Sequence, residues 1–303
     1  LKLYDPGMTT MHRAGLAGLY MTLQQLDPAD FHENGSWEAS PNSITFHWNN
    51  KARDFFQPVV ESSFSIDDLG LIQFKAHEKH SMGELKRFHL HNVIKQTFLQ
   101  IPKVGRTENN IQTLIFSYED KQIKYNYKKL YWYPHLEPKS WFDSKGNIKK
   151  KHDVKGWAYP GGTQRHVAYS STALSNDFGQ FLALVYAPVA CLYFMINHRT
   201  PDGKFDNRRR SAVVVPFVKD MERFAHNYGR YLEAPVEQLY VDSLGESGLK
   251  GLLMLNLASP DGMVREVDID SCNVFTMGTV PWSKQQKTRT GFVQVSGMGQ
   301  AGL

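Results

Sequence analysis

The run FLALVYAPVACLYFMI, Phe181 to Ile196, constrains the fold more than any other stretch of this chain. It carries no charge, yet it is shorter than the roughly 20 residues a membrane-spanning helix needs, and Pro188 interrupts it. Short continuous apolar runs are the mark of strands buried on both faces, so the segment predicts two core strands joined near Ala187-Pro188. A buried helix broken by the proline is the other reading of the same pattern. Either way a large core must surround it. A composition of 41% hydrophobic and 13% aromatic residues over 303 positions supplies that core and excludes global disorder.

Around this run the periodicity changes repeatedly. Leu16, Leu19, Leu23 and Leu26 fall at helical spacing and end at Asp27-Pro28, with His12 one turn earlier on the same stripe. Ser43 to Trp48 alternates like a strand, and Lys51 to Phe56 opens a helix. Asp67-Asp68-Leu69-Gly70 reads as the turn of a hairpin, and Met82 to Leu99 as a helix closed by Pro102. Further on, Ser211 to Val218 predicts a strand. Helices follow around Asp220 to Glu233 and Glu246 to Leu257, then strands at REVDID and NVFTM. Strands and helices are interspersed without a βαβ rhythm. The expected class is therefore α+β, with mixed, largely antiparallel sheets and neither a Rossmann nor a TIM-barrel pattern. We read residues 1–303 as one α+β body, with a sub-boundary near the basic aromatic segment 105–155.

Catalytic and metal motifs do not assemble. Cys191 and Cys272 stand far apart with no C-x-x-C, which fits a reducing, cytoplasmic setting, and no signal-peptide core is present at the start. Gly297, Gly299 and Gly302 spell G-x-G-x-x-G, but no helix follows to face a pyrophosphate. His77, His80, His89 and His91 lie among Lys and Glu. They are read as histidines of a solvated, nucleic-acid-facing surface rather than ligands. His152-Asp153 sits in a lysine-rich stretch of turn composition; a metal-dependent nuclease or phosphohydrolase built on it is the alternative function. Asp268 and Asp270 would share a strand face, an exposed edge more than a cation site. Ser170 and His166 lack a third catalytic member, and no cofactor is expected.

Binding features are stronger. The chain carries a net charge of +5, and the window Lys121 to Lys155 holds ten lysines against three acids. Tyr125, Tyr127, Tyr131, Trp132, Tyr133, Trp141 and Phe142 are interleaved with them. Lysines beside stacking rings suit a nucleic-acid groove; an amphipathic sheet with rings inward and lysines outward accounts for the pattern equally well. Three loops add candidates: Gly161, Gly162, Gln164, Arg165 and His166; Arg208, Arg209 and Arg210; and Lys284, Gln285, Gln286, Lys287 and Arg289. Asn50, Lys51 and Arg53 are weaker. Glycines admit a phosphate chain close to the backbone, and Gln or Asn beside a cation suits base edges.

Several phrases then resemble one family in order: LYDPGMTTMHRAGLAGLYMTL, FFQPVVESSFSIDDLGLIQF, HNVIKQTFLQIPK, GWAYPGGTQRHVAY with LALVYAPVACLYF, and PWSKQQKTRT. The family is the large subunit of CRISPR type I Cascade complexes, in the myxobacterial, I-B-like branch also found in cyanobacteria. The resemblance implies a non-enzymatic subunit at the 5′ end of the guide RNA. It would read the protospacer-adjacent motif on target double-stranded DNA and help start the R-loop, leaving the rest of the sequence to base pairing. Implied partners are the backbone, handle-binding and small subunits, transposition proteins in transposon-linked versions, and no membrane. Family members continue into a helical C-terminal region that residues 1–303 do not contain.

Overall fold

The computed structural model describes residues 1–99, 105–118, 121–154, 175–196, 210–256, 269–281 and 286–297. In chain order these form α1 (Thr10–Leu23), the hairpin β1 (Gly35–Ala39) and β2 (Ile44–Trp48), and α2 (Ala52–Ser63). The hairpin β3 (Phe64–Ile66) and β4 (Ile72–Phe74), then α3 (Glu84–Thr97), follow. A long ribbon pairs β5 (Arg106–Tyr118) with β6 (Lys121–Trp132), and two-residue strands β7 (His152–Asp153) and β8 (Ser175–Asn176) pair next. The rest is α4 (Phe178–Ala190), β9 (Leu192–Ile196), β10 (Arg210–Pro216), α5 (Met221–Glu233), β11 (Tyr240–Val241), α6 (Leu244–Asn256), β12 (Ser271–Pro281) and β13 (Gln286–Ser296). The α+β class and its antiparallel bias are as expected. One five-stranded sheet, ordered β11-β9-β10-β12-β13, is antiparallel except where β11 meets β9.

The apolar run corrects the two-strand expectation: its first part is α4, and only Leu192 to Ile196 forms a strand. A capping signal was available in the sequence. Asp177 is the N-cap, its carboxylate accepting the Gln180 N–H at 2.8 Å, and Gln180 stands three residues on, the spacing of a capping box. Pro188 lies in the last turn, where the helix is already ending, and Cys191 turns extended into β9.

Helices α1 and α4 meet backbone to backbone. A Cβ on Gly15 would stand 1.8 Å from the Ala183 carbonyl oxygen, and one on Gly18 would stand 2.3 Å from that of Tyr186. Apart from Arg13, every residue of α1 from Met11 to Leu23 is buried, so the leucine stripe read from the sequence is only part of a helix enclosed on all sides. His12 pins the amino-terminal ends together: its ring nitrogens lie 2.7 Å from Thr9 Oγ1 and 2.8 Å from Asn176 Nδ2.

The carboxy-terminal end of α4 is buried, so water cannot satisfy its last carbonyls. Side chains from three other segments do so. His77 Nε2 lies 2.9 Å from the Val189 oxygen, the Tyr193 hydroxyl donates to Pro188 at 2.6 Å, and the Tyr228 hydroxyl donates to Cys191 at 2.8 Å. Helix α6 covers one face of the five-stranded sheet through Gly248 and Gly251, against Val295, Val274 and Val214. Helix α3 approaches β12 and also reaches β11, where His89 Nε2 lies 3.2 Å from the Tyr240 hydroxyl.

Because the added methyl meets a carbonyl rather than a flexible side chain, Gly15→Ala is expected to cost about 3 kcal/mol or more. Gly245 in α6 has nothing within 4 Å of its Cβ position. Gly245→Ala should therefore be neutral or stabilising by roughly 0.5–1 kcal/mol. Urea denaturation midpoints of the two variants test the contrast.

Candidate nucleic-acid interface

Of the residues singled out in the sequence, Gly161, Gly162, Gln164, Arg165, His166, Arg208, Arg209, Lys284 and Gln285 lie outside the described residues. So do Ser170, Asp268, Gly299 and Gly302. The backbone of Arg210 begins β10 opposite Ile196. Gln286, Lys287 and Arg289 pair along β13 with Pro281, Val280 and Gly278, so they belong to one hairpin with β12.

Asn50, Lys51 and Arg53 are joined by residues that sequence reasoning had not grouped with them. The turn Asp143–Asn147 folds onto the start of α2: the Arg53 N–H donates to the Gly146 oxygen at 3.0 Å. Gly146 is in the left-handed region at φ +83°, and a Cβ there would stand 3.0 Å from Lys51 Cδ. Asp143 Oδ1 accepts from the Lys145 and Asn147 backbone at 2.8 and 2.9 Å; Asn147's backbone N–H, then Lys145's, hold its carboxyl below the ordinary range. Lys51 and Lys145 are exposed where the turn meets α2, and Lys149, Lys150 and Lys151, which follow the turn in sequence, are exposed too. Arg53 is 3.5 Å from Asp54, and Lys149 donates to the Ser140 oxygen at 2.6 Å. Two distant basic segments thus share one edge, a juxtaposition that spacing along the chain does not reveal.

The lysine-and-aromatic window resolves largely in favour of the amphipathic sheet. Tyr127, Tyr133, Trp141 and Phe142 are buried, while Lys124 and Lys128 are exposed. Only Tyr131, at 56% exposure, offers an open ring, and Trp132 lies under the Arg106 guanidinium at 5.0 Å. Along the regular part of the ribbon, Lys124 and Lys128 stand opposite Ile115 and Ile111, with Asn126 opposite Thr113 between them. Among the described residues of this regular part, the outward face bears no acid.

The histidine expectation is corrected. His77, His89 and His91 are buried, and His80 pairs with Glu233 at 3.0 Å. Helix α3 turns His89 and His91 inward because its apolar neighbours Leu90, Val93 and Ile94 face the core with them, and His77 is held in the turn after β4 by the Val189 oxygen. Lys86 is also buried, its ammonium donating to the carbonyls of Tyr231 and Ala234 at the end of α5; burial pulls its pKa to about 7, with Glu233 opposing. Similarly, His152-Asp153 is a strand rather than a turn. His152 faces inward, stacked on Phe181 at 4.6 Å and 18°, and Asp153 faces outward. Among the described residues no three His, Cys, Asp or Glu side chains gather as a metal-binding group. Asp270 pairs with Lys219 at 2.6 Å just before β12 begins. A cavity of about 300 Å³ between β4 and α3 has its polar walls engaged: His77 with Val189, His80 with Glu233, Arg87 with Asp67.

Burial lowers the pKa of His12 and His77 to about 4 and that of His135 to about 3. Each lies below the ordinary unfolded value near 6.5, so the unfolded chain takes up protons first as pH falls. Their stabilisation is complete above about pH 6.5 and is lost as pH falls toward 4. Denaturation at pH 7, 6 and 5 should show stability falling by up to about 1.4 kcal/mol per pH unit per histidine. A flat profile would contradict their neutral burial.

No helix among the described residues is long and apolar enough to cross a membrane. A family model described as the DevT N-terminal domain matches residues 1–185. The chain is also 21% identical, over 97% of its length, to a CRISPR-associated protein Cas8a1/Csx13 of Myxococcus xanthus (strain DK1622). It spans about half the length of that relative, 52%. The CRISPR name and the myxobacterial source agree with the resemblance carried by the sequence blocks. Because the family match takes in α1, the β1–β2 hairpin, the ribbon, the basic rim and most of α4, the chain belongs to the DevT N-terminal domain family.

Proposed function

We propose that this chain is the non-catalytic body of a Cascade large subunit, acting in the cytoplasm within a complex of guide RNA and other CRISPR-associated subunits. It binds the 5′ end of the guide, recognises the protospacer-adjacent motif on double-stranded DNA and helps start the R-loop. The likeness to a CRISPR-associated relative over nearly the whole chain supports the class. The observation that carries the nucleic-acid role is the basic rim, where Lys51 and Arg53 at the start of α2 meet the turn that bears Lys145, with exposed Lys149, Lys150 and Lys151 following in sequence. Exposed lysines on one edge neutralise successive phosphates without reading sequence, which is the positioning half of duplex recognition. The acid-free face of the ribbon, with Lys124, Asn126 and Lys128, extends the same chemistry. Arg165, with Gly161, Gly162, Gln164 and His166 beside it in sequence, is the first residue to test for a grip on the guide or the motif-bearing duplex.

Lys150→Glu with Lys151→Glu should weaken duplex DNA binding at least tenfold and reduce the salt slope of log K by about two. Arg165→Ala should reduce the slope by about one. Titrations across salt concentration measure both. Unchanged affinity and slope in the double variant would remove the rim from the interface.

A further inference from the structure

The two faces of the β5–β6 ribbon differ. Leu114, Phe116, Tyr125 and Tyr127 turn to α3, where Phe88 meets the rings of Phe116, Tyr125 and Tyr127 at centroid distances of 5.8, 5.1 and 5.4 Å. Alternation turns their neighbours the other way, into solvent. On that outer face the register pairs Ile111 with Lys128, Thr113 with Asn126, Ile115 with Lys124, and Ser117 with Gln122. All of these side chains are exposed, Ile111 at 66% and Ile115 at 53%. The Thr113 hydroxyl donates to Asn126 Oδ1 at 2.9 Å, which ties the amide to the facing strand. Lys124 and Lys128 are paired with no acid among the described residues, whereas the neighbouring Lys129 donates to the Asp68 oxygen at 2.6 Å. Glu108 stands in the irregular stretch before Ile111, and Glu119 and Asp120 lie outside the described residues.

We infer that this outer face seats in the major groove of duplex DNA, with Lys124 and Lys128 on phosphates and the Thr113–Asn126 pair, flanked by Ile111 and Ile115, against base edges. The inference rests on the duplex-binding reading above and gives it a surface and a groove. Two strands about 4.8 Å apart, with their side chains, fit a groove about 12 Å wide and are too broad for a minor groove about 6 Å wide. An asparagine amide complements adenine N6 and N7, and an exposed aliphatic side chain suits the thymine methyl, so the face matches A·T pairs. The lysines hold the register on the backbone without reading sequence. A protein partner fits this face less well. Interface cores are apolar and depleted in lysine, and here a hydroxyl–amide pair separates the two isoleucines.

The test uses one mixed-sequence DNA duplex in three forms: unmodified, with glucosylated hydroxymethylcytosines that fill the major groove, and loaded with netropsin, which fills the minor groove at A·T steps. Glucosylation should weaken binding by at least about tenfold, and netropsin should leave it within about twofold. Lys124→Gln with Lys128→Gln should lower the salt slope of log K by about two. A duplex carrying a photoreactive diazirine at the thymine 5-position should crosslink to β5 or β6 of the unsubstituted chain, a readout independent of how the variant folds. Binding lost to netropsin but not to glucosylation would overturn the groove assignment. An unchanged slope in the double lysine variant, with crosslinks outside the ribbon, would overturn the ribbon and leave the duplex-binding reading standing. No duplex binding by the unsubstituted chain would overturn both.

Discussion

Two helices can touch backbone to backbone only where side chains are missing, and Gly15 and Gly18 give α1 that property against α4. The contact fixes more than one helix pair. It seats α4 so deeply that its carboxy-terminal end loses access to water, and the chain must bring His77, Tyr193 and Tyr228 inward to serve the freed carbonyls. It also sets where β9 starts, since Cys191 leaves α4 directly for the sheet. The sheet, the helix α5 that carries Tyr228 and the segment around His77 are therefore all located relative to one glycine-mediated approach.

The inward histidines follow from the same constraint. A buried neutral imidazole can donate from one nitrogen and accept at the other, so it bridges elements that an aliphatic side chain would leave unsatisfied. His12 reaches across α1 to Asn176, and His135 Nε2 lies 3.1 Å from the Val185 oxygen within α4. Lys86 performs a related task at the end of α5, where a cation suits the negative end of the helix dipole. These polar groups are core fittings, and the Lys and Glu residues beside them in sequence gave no hint of it.

Local signals carried most of the architecture. The leucine spacing of α1, the Asp-Asp-Leu-Gly turn between β3 and β4, and the alternation of β2 each depend on neighbours within a few residues. Asp67 shows why such a turn is legible: its carboxylate accepts the N–H groups of Leu69 and Leu71 at 3.0 and 2.8 Å, within the turn itself. Where the reading failed, distant packing decided. Continuous apolarity in Phe181 to Ile196 reports burial on every side but not whether a helix or a strand is buried. Of the candidate interface, the sequence showed an excess of lysine but not its arrangement. Lys51 and Lys145 come together only through Gly146, whose positive φ and lack of a Cβ let the later turn close on α2.

The ribbon β5–β6 has a small core of its own. Leu71, Phe88, Phe116 and Tyr127 form a cluster separate from the main one, with the Tyr127 hydroxyl donating to the Leu69 oxygen at 2.7 Å. Its amide-exchange protection is therefore set by a handful of rings rather than by the whole domain. Its base is tied differently: Leu130 belongs to the main core, and its N–H donates to the Gly70 oxygen at 3.2 Å, so the two ends of the ribbon rest on different packing.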